Sequence, residues 1–121
     1  MRSCLVVDDS PVIRKIARRI LEEMEFDVSE AEDGIKALEN CMSTSHDLII
    51  LDWNMPEMSG IEFLENLRAK KEMNQPIVIF CTTESSIDHI RKAIELGANE
   101  YIMKPFDREI IEAKLSQVGL L

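Results

Sequence analysis

The chain has 121 residues, which is the size of one domain and enough to bury one hydrophobic core. Hydrophobic residues make up 45% of it and charged residues 31%, a balance typical of globular domains and too apolar for a disordered chain. The formal net charge of −9 repels phosphate backbones, so we expect no nucleic-acid binding, whereas divalent cations and basic protein surfaces would be attracted.

The cysteines and the apolar segments bear on the cellular setting. Cys4, Cys41 and Cys81 are widely spaced and form no Cys-x-x-Cys pair. This spacing predicts free thiols in a reducing, cytoplasmic setting, with neither a disulfide framework nor a zinc site. Asp8 and Asp9 cut short the apolar run at the N-terminus, so no secretory signal is expected. No apolar segment approaches the ~20 residues of a bilayer span, and we expect no membrane association.

The first quarter of the chain predicts a strand followed by a helix. Cys4 to Val7 is an all-apolar run that ends at Asp8. Ser10 and Pro11 have the residue types of an N-cap and a first helical position. The apolar residues that recur at helical spacing after them are Val12, Ile13, Ile16, Ala17, Ile20, Leu21 and Met24, with Arg14, Lys15, Arg18 and Arg19 expected on the outer face.

The central part predicts a second strand and helix and then the most apolar strand. Phe26 to Ala31 is a weaker strand, and Asp33-Gly34 opens a helix marked by Ile35, Leu38 and Met42. Leu48 to Leu51 are four large apolar residues in a row, which predicts a strand buried on both faces. Asp52 ends this run, and Pro56 stops regular structure from continuing.

The second half repeats the alternation of helix and strand. Ser59 and Glu62 have capping-box spacing at the start of a third helix. Ile77 to Cys81 predicts a strand that ends at Thr82, and a second capping box at Ser85 to Asp88 opens a fourth helix. Gly97 is predicted to end this helix. Tyr101 to Met103 predicts a short strand that is closed by Lys104-Pro105, and Asp107 caps a last helix.

Five strand-then-helix units with short connections predict a doubly wound α/β fold with a parallel sheet. The first, third and fourth strands are continuously apolar and should be interior, whereas the second and fifth are more polar or shorter and should be edges. The expected order is therefore 2-1-3-4-5, as in flavodoxin-like folds. We expect residues 1–121 to form a single domain with no fused output domain.

In this fold, residues distant in sequence converge on one edge of the sheet. They are Asp8, Asp9, Asp52, Thr82 and Lys104, all at C-terminal ends of strands. At ~4 Å and an effective dielectric constant of ~20, each pair of carboxylates would repel by about 4 kcal/mol. Oxygen ligands of this kind suit Mg²⁺, or Mn²⁺, better than zinc, and Lys104 would add a compensating charge. An aspartate beside such an ion can act as the nucleophile in phosphoryl transfer.

The chain resembles response-regulator receiver domains, most of all the stand-alone, CheY-like ones. The matching positions are Asp8-Asp9, Asp52 followed by Met55-Pro56 and Gly60, Thr82, and Lys104-Pro105. The resemblance implies that Asp52 accepts phosphate from a histidine kinase or a histidine phosphotransfer protein. It also implies a Mg²⁺ site whose ligands are Asp8, Asp9, Asp52 and the backbone carbonyl of Asn54. Thr82 and Tyr101 would form the switch that reports phosphorylation. The peptide bond between Lys104 and Pro105 would be cis.

The resemblance further implies an output and a lifetime. Phosphorylation would change partner binding at the surface of the fourth helix, fifth strand and fifth helix, with a chemotaxis output like that of CheY. Asn54 and Glu84 each stand two positions after a site residue and should flank the path of an attacking water, which predicts fairly rapid autodephosphorylation. Thr83 departs from the smaller residue that is usual there. The protein would turn over no metabolite and so would not be an enzyme in the ordinary sense.

Other functions stay open from the sequence. A phosphorelay or kinase-regulating receiver has the same site residues, and a receiver that binds partners without phosphorylation is a further alternative. A haloacid-dehalogenase-like phosphatase needs an acidic residue where Asn54 stands, and a flavodoxin-like carrier needs a phosphate-binding loop where Asp8-Asp9 stands. Monomer and weak dimer are not distinguished. His46 and His89 have no partners at metal-ligand spacing, and we predict that both are surface residues.

Overall fold

A computed structural model of the chain describes residues 2–70, 75–83 and 87–121. In these residues strands and helices alternate along the chain. The strands are β1 (Ser3–Val7), β2 (Asp27–Ala31), β3 (Leu48–Asp52), β4 (Ile77–Thr82) and β5 (Glu100–Met103). The helices are α1 (Pro11–Glu23), α2 (Gly34–Ser43), α3 (Gly60–Ala69), α4 (Ile87–Glu95) and α5 (Arg108–Gln117).

The strands form one parallel sheet in the order β2-β1-β3-β4-β5. This confirms the predicted fold class and strand order, including the two polar edge strands. The register aligns the C-terminal ends of the strands, since Val7 pairs with Leu51 and Asp52 pairs with Cys81. Side chains that follow these residues are therefore brought together at one edge of the sheet.

Helices cover both faces of the sheet, so β3 is buried on each side. Ile49 and Leu51 pack in the cluster that includes Ala37, Phe63 and Ala93 of α2, α3 and α4. Leu48 and Ile50 point to the opposite face, where the cluster includes Ala17, Leu21, Ile111 and Leu115 of α1 and α5. The alternation follows from the two-residue period of a strand and makes β3 the centre of the fold.

The helix ends confirm most of the predicted caps. The Ser10 and Asp107 side chains accept hydrogen bonds from the backbone of Ile13 (3.3 Å) and Ile110 (3.0 Å). Ser59 and Glu62 form the reciprocal capping box at α3. Gly97 has a φ of +112°, which a residue with a side chain rarely adopts, and ends α4 as expected. The predicted box at Ser85 lies outside the described residues.

The predicted faces of α1 are partly wrong. At about 100° per residue, Arg14 lies on nearly the same side of the helix as the buried Leu21, and Val12 lies opposite it. Arg14 accordingly turns inward, and it pairs with Glu30 of β2 together with the more exposed Arg18. Val12 is 64% exposed and Ile16 is 45% exposed, so these two apolar residues face solvent rather than the core.

The prediction that both histidines are surface residues is wrong for His46, whereas His89 is partly exposed. His46 is buried, and its ring lies between Ser3 Oγ (2.7 Å from Nδ1) and Asn40 Oδ1 (2.6 Å from Nε2). The ring of His89 is half-buried and packs against Trp53, with 4.9 Å between ring centroids.

Among the helices of the described ranges, none has the length and apolar character that a bilayer span requires.

Candidate functional site

The candidate site lies at the C-terminal edge of the sheet, where four strands end. Asp8 follows β1, Asp52 ends β3, Thr82 ends β4 and Lys104 follows β5. Backbone hydrogen bonds hold Asp8 and Lys104 in place at this edge. The amide of Asp8 donates to the carbonyl of Ala31 (3.1 Å), and the amide of Lys104 donates to the carbonyl of Thr82 (2.8 Å). The predicted convergence of these residues is therefore observed.

Three carboxylates form the acidic part of the site. Asp8, Asp9 and Asp52 each offer one oxygen, and these oxygens all lie within 4.8 Å of one another. Asp8 and Asp52 are buried, at 2% and 7% exposure, whereas Asp9 is exposed. The cluster is thus enclosed by the protein on the strand side and open to solvent at Asp9.

Lys104 is the cation that stabilises this cluster in the folded chain. Its Nζ donates to Asp8 Oδ2 at 2.8 Å and to Asp52 Oδ1 at 3.0 Å. Burial alone would lower the pKa of Lys104, but the hydrogen bonds to Asp8 and Asp52 outweigh it and hold the pKa above its ordinary value. The ammonium group therefore stays charged while it bridges two carboxylates.

Burial makes the charged form of Asp52 costly. Burial raises the pKa of Asp52 above its ordinary value, and the negative charge of Asp8 raises it further. The hydrogen bond from Lys104 lowers the pKa but does not cancel these effects. One ammonium does not compensate three carboxylates. A divalent cation beside Asp52 would lower the free energy of the charged carboxylate further.

The donor set fits the metal that the sequence predicts. All three candidate ligand atoms are carboxylate oxygens, and no histidine or cysteine belongs to this group among the described residues. Hard cations such as Mg²⁺ prefer oxygen ligands and keep several of their waters, which the solvent-exposed side of the cluster would admit.

The loop after β3 is held tightly against the site. The amide of Trp53 donates to Asp52 Oδ1 (2.9 Å), and the amide of Gly60 donates to the carbonyl of Trp53 (3.0 Å). Asn54 comes directly after Trp53, and its side chain is exposed. The Trp53 ring packs on Phe80 with 5.1 Å between centroids, so this loop is anchored to the core.

The predicted switch residues lie on neighbouring strands. Thr82 is buried and pairs in register with Met103, and Tyr101 pairs with Phe80. Because residues two apart on a strand share a face, Thr82 and Tyr101 lie on the same face of the sheet. Tyr101 is half-buried, and Lys114 Nζ lies over its ring at 4.7 Å from the centroid. Glu84 lies outside the described residues.

The sequence reading missed one group of residues beside the site. Arg14 Nε bonds to Glu30 Oε1 at 2.9 Å, and its Nη1 donates to the backbone carbonyl of Asp8 at 2.6 Å. Arg18 bonds to the other oxygen of Glu30 at 2.8 Å. The signal that could have revealed Arg14 is its seven-residue spacing from Leu21, which places it on the inner side of α1.

Two curated relatives are similar to this chain over most of its length. Chemotaxis protein CheY-3 of Vibrio cholerae serotype O1 is 36% identical over 115 residues, which cover 94% of this chain and 88% of that protein. Chemotaxis protein CheY of Pseudomonas aeruginosa is 35% identical over 115 residues, which cover 94% of this chain and 93% of that protein. The similarity therefore extends over nearly the whole length of both relatives.

Solved structures and the family comparison lead to the same result. The Vibrio cholerae chemotaxis protein CheY4 superposes with a TM-score of 0.91 at 33% identity, covering 98% of each chain. The receiver domain of the Francisella response regulator 1452 superposes with a TM-score of 0.87 at 29% identity, covering 98% of this chain and 96% of that one. Residues 4–116 match the family described as the response regulator receiver domain. With its fold, its acidic cluster and its CheY relatives in agreement, the chain belongs to the response regulator receiver domain family, as a CheY-like member.

Proposed function

We propose that this domain accepts a phosphoryl group on Asp52 from a histidine kinase or a histidine phosphotransfer protein, in a reaction that requires Mg²⁺. The observation that carries the proposal is the group of three carboxylates with oxygens within 4.8 Å, two of them bridged by Lys104. Mutual repulsion of this kind lowers the stability of a fold, so its presence at the ligand-binding edge of the sheet supports a chemical role.

The metal ligands would be the carboxylates of Asp8, Asp9 and Asp52 and the backbone carbonyl of Asn54. Bound Mg²⁺ would neutralise charge between the incoming phosphoryl group and Asp52 and stabilise the equatorial oxygens of the transition state. Mn²⁺ accepts the same ligands and should replace it.

The transfer itself uses a carboxylate oxygen of Asp52 as the nucleophile. This oxygen attacks the phosphorus of a phosphohistidine, a P–O bond forms, the P–N bond breaks, and the electron pair of that bond stays on the imidazole of the donor. Lys104 Nζ, which lies 3.0 Å from Asp52 Oδ1, would pair with one phosphoryl oxygen, and the hydroxyl of Thr82 would donate to another. The product is an acyl phosphate on Asp52.

Loss of the phosphoryl group would follow by attack of water on the acyl phosphate. Asn54, exposed and two residues after Asp52, would flank the path of that water, and Glu84 is assigned the same role from the sequence. Both residue types support a short-lived phosphorylated state. The domain catalyses its own modification and its reversal, which is a signalling function rather than turnover of a metabolite.

The output would be a change at the surface formed by α4, β5 and α5. Phosphate on Asp52 would draw Thr82 towards it, and Tyr101 would move into the space that Thr82 leaves, shifting the balance between two conformations. Ile94 on α4 is 44% exposed and Ile110 on α5 is 38% exposed. Exposed isoleucines on both helices support an apolar contact with a downstream target protein.

The phosphodonor would dock on the outer side of α1, next to the acidic site. A cavity of about 260 Å³ is lined there by Val12, Ile16 and Ile20 together with Lys15 and Arg19. In a chain of net charge −9, this basic and apolar patch would attract an acidic helical surface and orient it towards Asp52.

The relatives favour a chemotaxis output, since CheY-3 of Vibrio cholerae and CheY of Pseudomonas aeruginosa are named as chemotaxis proteins. We therefore propose a cytoplasmic, CheY-like receiver that acts as a monomer or weak dimer. A phosphorelay or kinase-regulating receiver is the second candidate, favoured by the same intact site. Asn54 in place of an acidic residue argues against a haloacid-dehalogenase-type phosphatase.

The experiment that tests the proposal is mass spectrometry of the protein after incubation with acetyl phosphate. With Mg²⁺ present, we expect one phosphoryl adduct that is absent in EDTA and absent in Asp52→Ala. Asp33→Asn is the matched control, because Asp33 is as buried as Asp52 but caps α2 and is not one of the clustered carboxylates. An adduct that survives in Asp52→Ala, or no adduct in the wild type, would overturn the proposal.

A further inference from the structure

The side chain of Arg14 bonds both to the acidic cluster and to the edge strand β2. Its guanidinium group bonds to the Glu30 carboxylate through Nε (2.9 Å) and to the backbone carbonyl oxygen of Asp8 through Nη1 (2.6 Å). The planar, forked geometry of arginine allows one side chain to reach both acceptors. Lysine has a single flexible ammonium and cannot reproduce this fork.

The carbonyl that Arg14 holds belongs to the peptide between Asp8 and Asp9. The amide of Asp8 is already fixed by its bond to Ala31 O (3.1 Å), and its carboxylate is fixed by Lys104 (2.8 Å) and by the amide of Ser10 (2.9 Å). The bond from Arg14 fixes the remaining polar group of Asp8. Arg14 therefore restrains the plane of the Asp8–Asp9 peptide, from which the Asp9 residue continues.

Glu30 makes Arg14 rigid. Its other carboxylate oxygen accepts from Arg18 Nη1 at 2.8 Å, so two arginines from successive turns of α1 hold one carboxylate of β2. The hydrogen bonds from Arg18 and Arg14 hold the pKa of Glu30 below its ordinary value against the effect of burial. The Arg14 side chain is only 16% exposed, against 41% for Arg18.

We infer that Arg14 is a positioning residue for divalent-cation binding, acting through the Asp8 carbonyl to hold Asp8 and Asp9 in the orientation that the cation requires. The inference rests on the proposed function, because it takes the carboxylates of Asp8, Asp9 and Asp52 as the cation site. Groups that orient metal ligands typically change metal affinity ten- to a hundredfold when they are lost.

Electrostatics alone predicts the opposite sign. Arg14 carries a positive charge beside a cation site, so its removal would strengthen Mg²⁺ binding if charge were its only effect. Arg18 carries the same charge, lies on the same helix and pairs with the same Glu30, but the described structure shows no bond from it to Asp8. Arg18→Met is therefore a matched control for charge and for the loss of one ion pair with Glu30.

The experiment compares Mg²⁺ affinity in the wild type, Arg14→Met, Arg14→Lys and Arg18→Met. Affinity is measured as competition of Mg²⁺ with Mn²⁺, whose free concentration is followed by electron paramagnetic resonance, and urea unfolding checks that each variant is folded. We expect both Arg14 variants to bind Mg²⁺ at least about tenfold more weakly, and Arg18→Met to bind as tightly as the wild type or slightly more tightly. At saturating Mg²⁺, the phosphorylation rate of Arg14→Met should return towards that of the wild type.

Three outcomes would overturn the inference: wild-type or tighter Mg²⁺ binding in Arg14→Met, an equal loss of affinity in Arg18→Met, or a phosphorylation rate in Arg14→Met that saturating Mg²⁺ does not restore. Failure of the proposed function would look different. If the wild type binds Mg²⁺ but takes up no phosphoryl group, the proposed function is wrong, and the affinities of the variants still decide the role of Arg14.

Discussion

The backbone carbonyl oxygen of Asp52 packs so closely against Gly60 that no side chain fits at position 60. A Cβ at position 60 would lie 2.1 Å from that oxygen and 2.9 Å from the ring of Phe80. Glycine at the first position of α3 therefore allows the helix to begin directly against the end of β3. The loop between them, which includes Trp53 and Asn54, is held close to the site as a result.

Replacing Gly60 with alanine should disturb both stability and chemistry. The added methyl group must push α3 away from Asp52, which we expect to lower the free energy of unfolding by about 1–3 kcal/mol. It should also slow phosphorylation by acetyl phosphate, because Asp52 and the loop after it move together. Urea unfolding and the rate of phosphoryl incorporation measure the two effects.

Gly119→Ala is the control for this change. Gly119 has a φ of +82°, but a Cβ there would meet nothing within 4 Å. We expect this variant to lose about 1–2 kcal/mol through backbone strain alone and to be phosphorylated at the wild-type rate. A wild-type rate in Gly60→Ala as well would show that the close contact does not position the site.

Lys104→Met should make stability depend more strongly on Mg²⁺ than it does in the wild type. Without the ammonium, the buried Asp8 and Asp52 repel each other and lose charged hydrogen bonds of 2.8 and 3.0 Å. In EDTA we expect the free energy of unfolding to fall by about 1.5–3 kcal/mol. Added Mg²⁺ should restore much of it, because a divalent cation at the cluster replaces the missing positive charge. Urea unfolding with and without Mg²⁺ tests this, and equal losses under both conditions would contradict it.

Arg68 should be among the most sensitive positions for folding. Its five N–H groups donate to the carbonyls of Pro76 and Gly97 and to the side chains of Gln75 and Asn99. These bonds join α3 to the segment before β4 and to the segment between α4 and β5. Arg68→Lys cannot satisfy these acceptors, and we expect a loss of about 2–4 kcal/mol. Arg108→Lys, which removes only exposed ion pairs with Glu23 and Glu112, should cost less than about 1 kcal/mol. Similar urea midpoints for the two variants would contradict the prediction.

His46 should make stability fall in mildly acidic solution. Burial lowers the pKa of His46 below its ordinary value of 6.5, while Asp47 and Asp27 act weakly in the opposite direction. As the pH falls below 6.5, the unfolded chain therefore binds a proton before the folded chain does. The free energy of unfolding should decline there, by at most about 1.4 kcal/mol per pH unit from this group, and level off once the folded form is protonated too.

The measurement compares the wild type with His46→Gln by urea unfolding between pH 5 and pH 8. The variant should show a flatter dependence below pH 6.5 because it has no imidazole to protonate. Titrating carboxylates are common to both proteins, so the difference between the curves isolates His46. Parallel curves would show that its burial does not oppose protonation.

The sequence predicted the fold because strand and helix patterns alternate without interruption and because polarity separates edge from interior strands. β3 is buried at every position, whereas β2 and β5 each contain several half-exposed residues. The convergence of Asp8, Asp52, Thr82 and Lys104 follows from the same topology, since parallel strands end at one edge of a sheet.

What the sequence could not predict depends on contacts between distant residues. The burial of His46 requires Ser3, which is 43 positions away, and nothing in the local pattern around His46 indicates such a partner. The spacing of Arg14 from Leu21 indicates the inner side of α1, but its partner Glu30 lies on β2, sixteen positions away, and Arg18 pairs with the same distant residue. Val12 and Ile16 resemble core residues by type, and only the angular position of the helix relative to the sheet shows that they are exposed.

The three cysteines of the chain have a practical consequence for biophysical work on it. Cys4, Cys41 and Cys81 are all buried, and burial raises the pKa of Cys41 to about 11 and that of Cys81 to about 12. At neutral pH only on the order of one Cys41 thiol in ten thousand is ionised, and maleimides or iodoacetamides react with the thiolate. A cysteine introduced at the exposed Met42 would therefore be labelled selectively in the folded protein, and a dye or spin label could be attached without first replacing the native thiols.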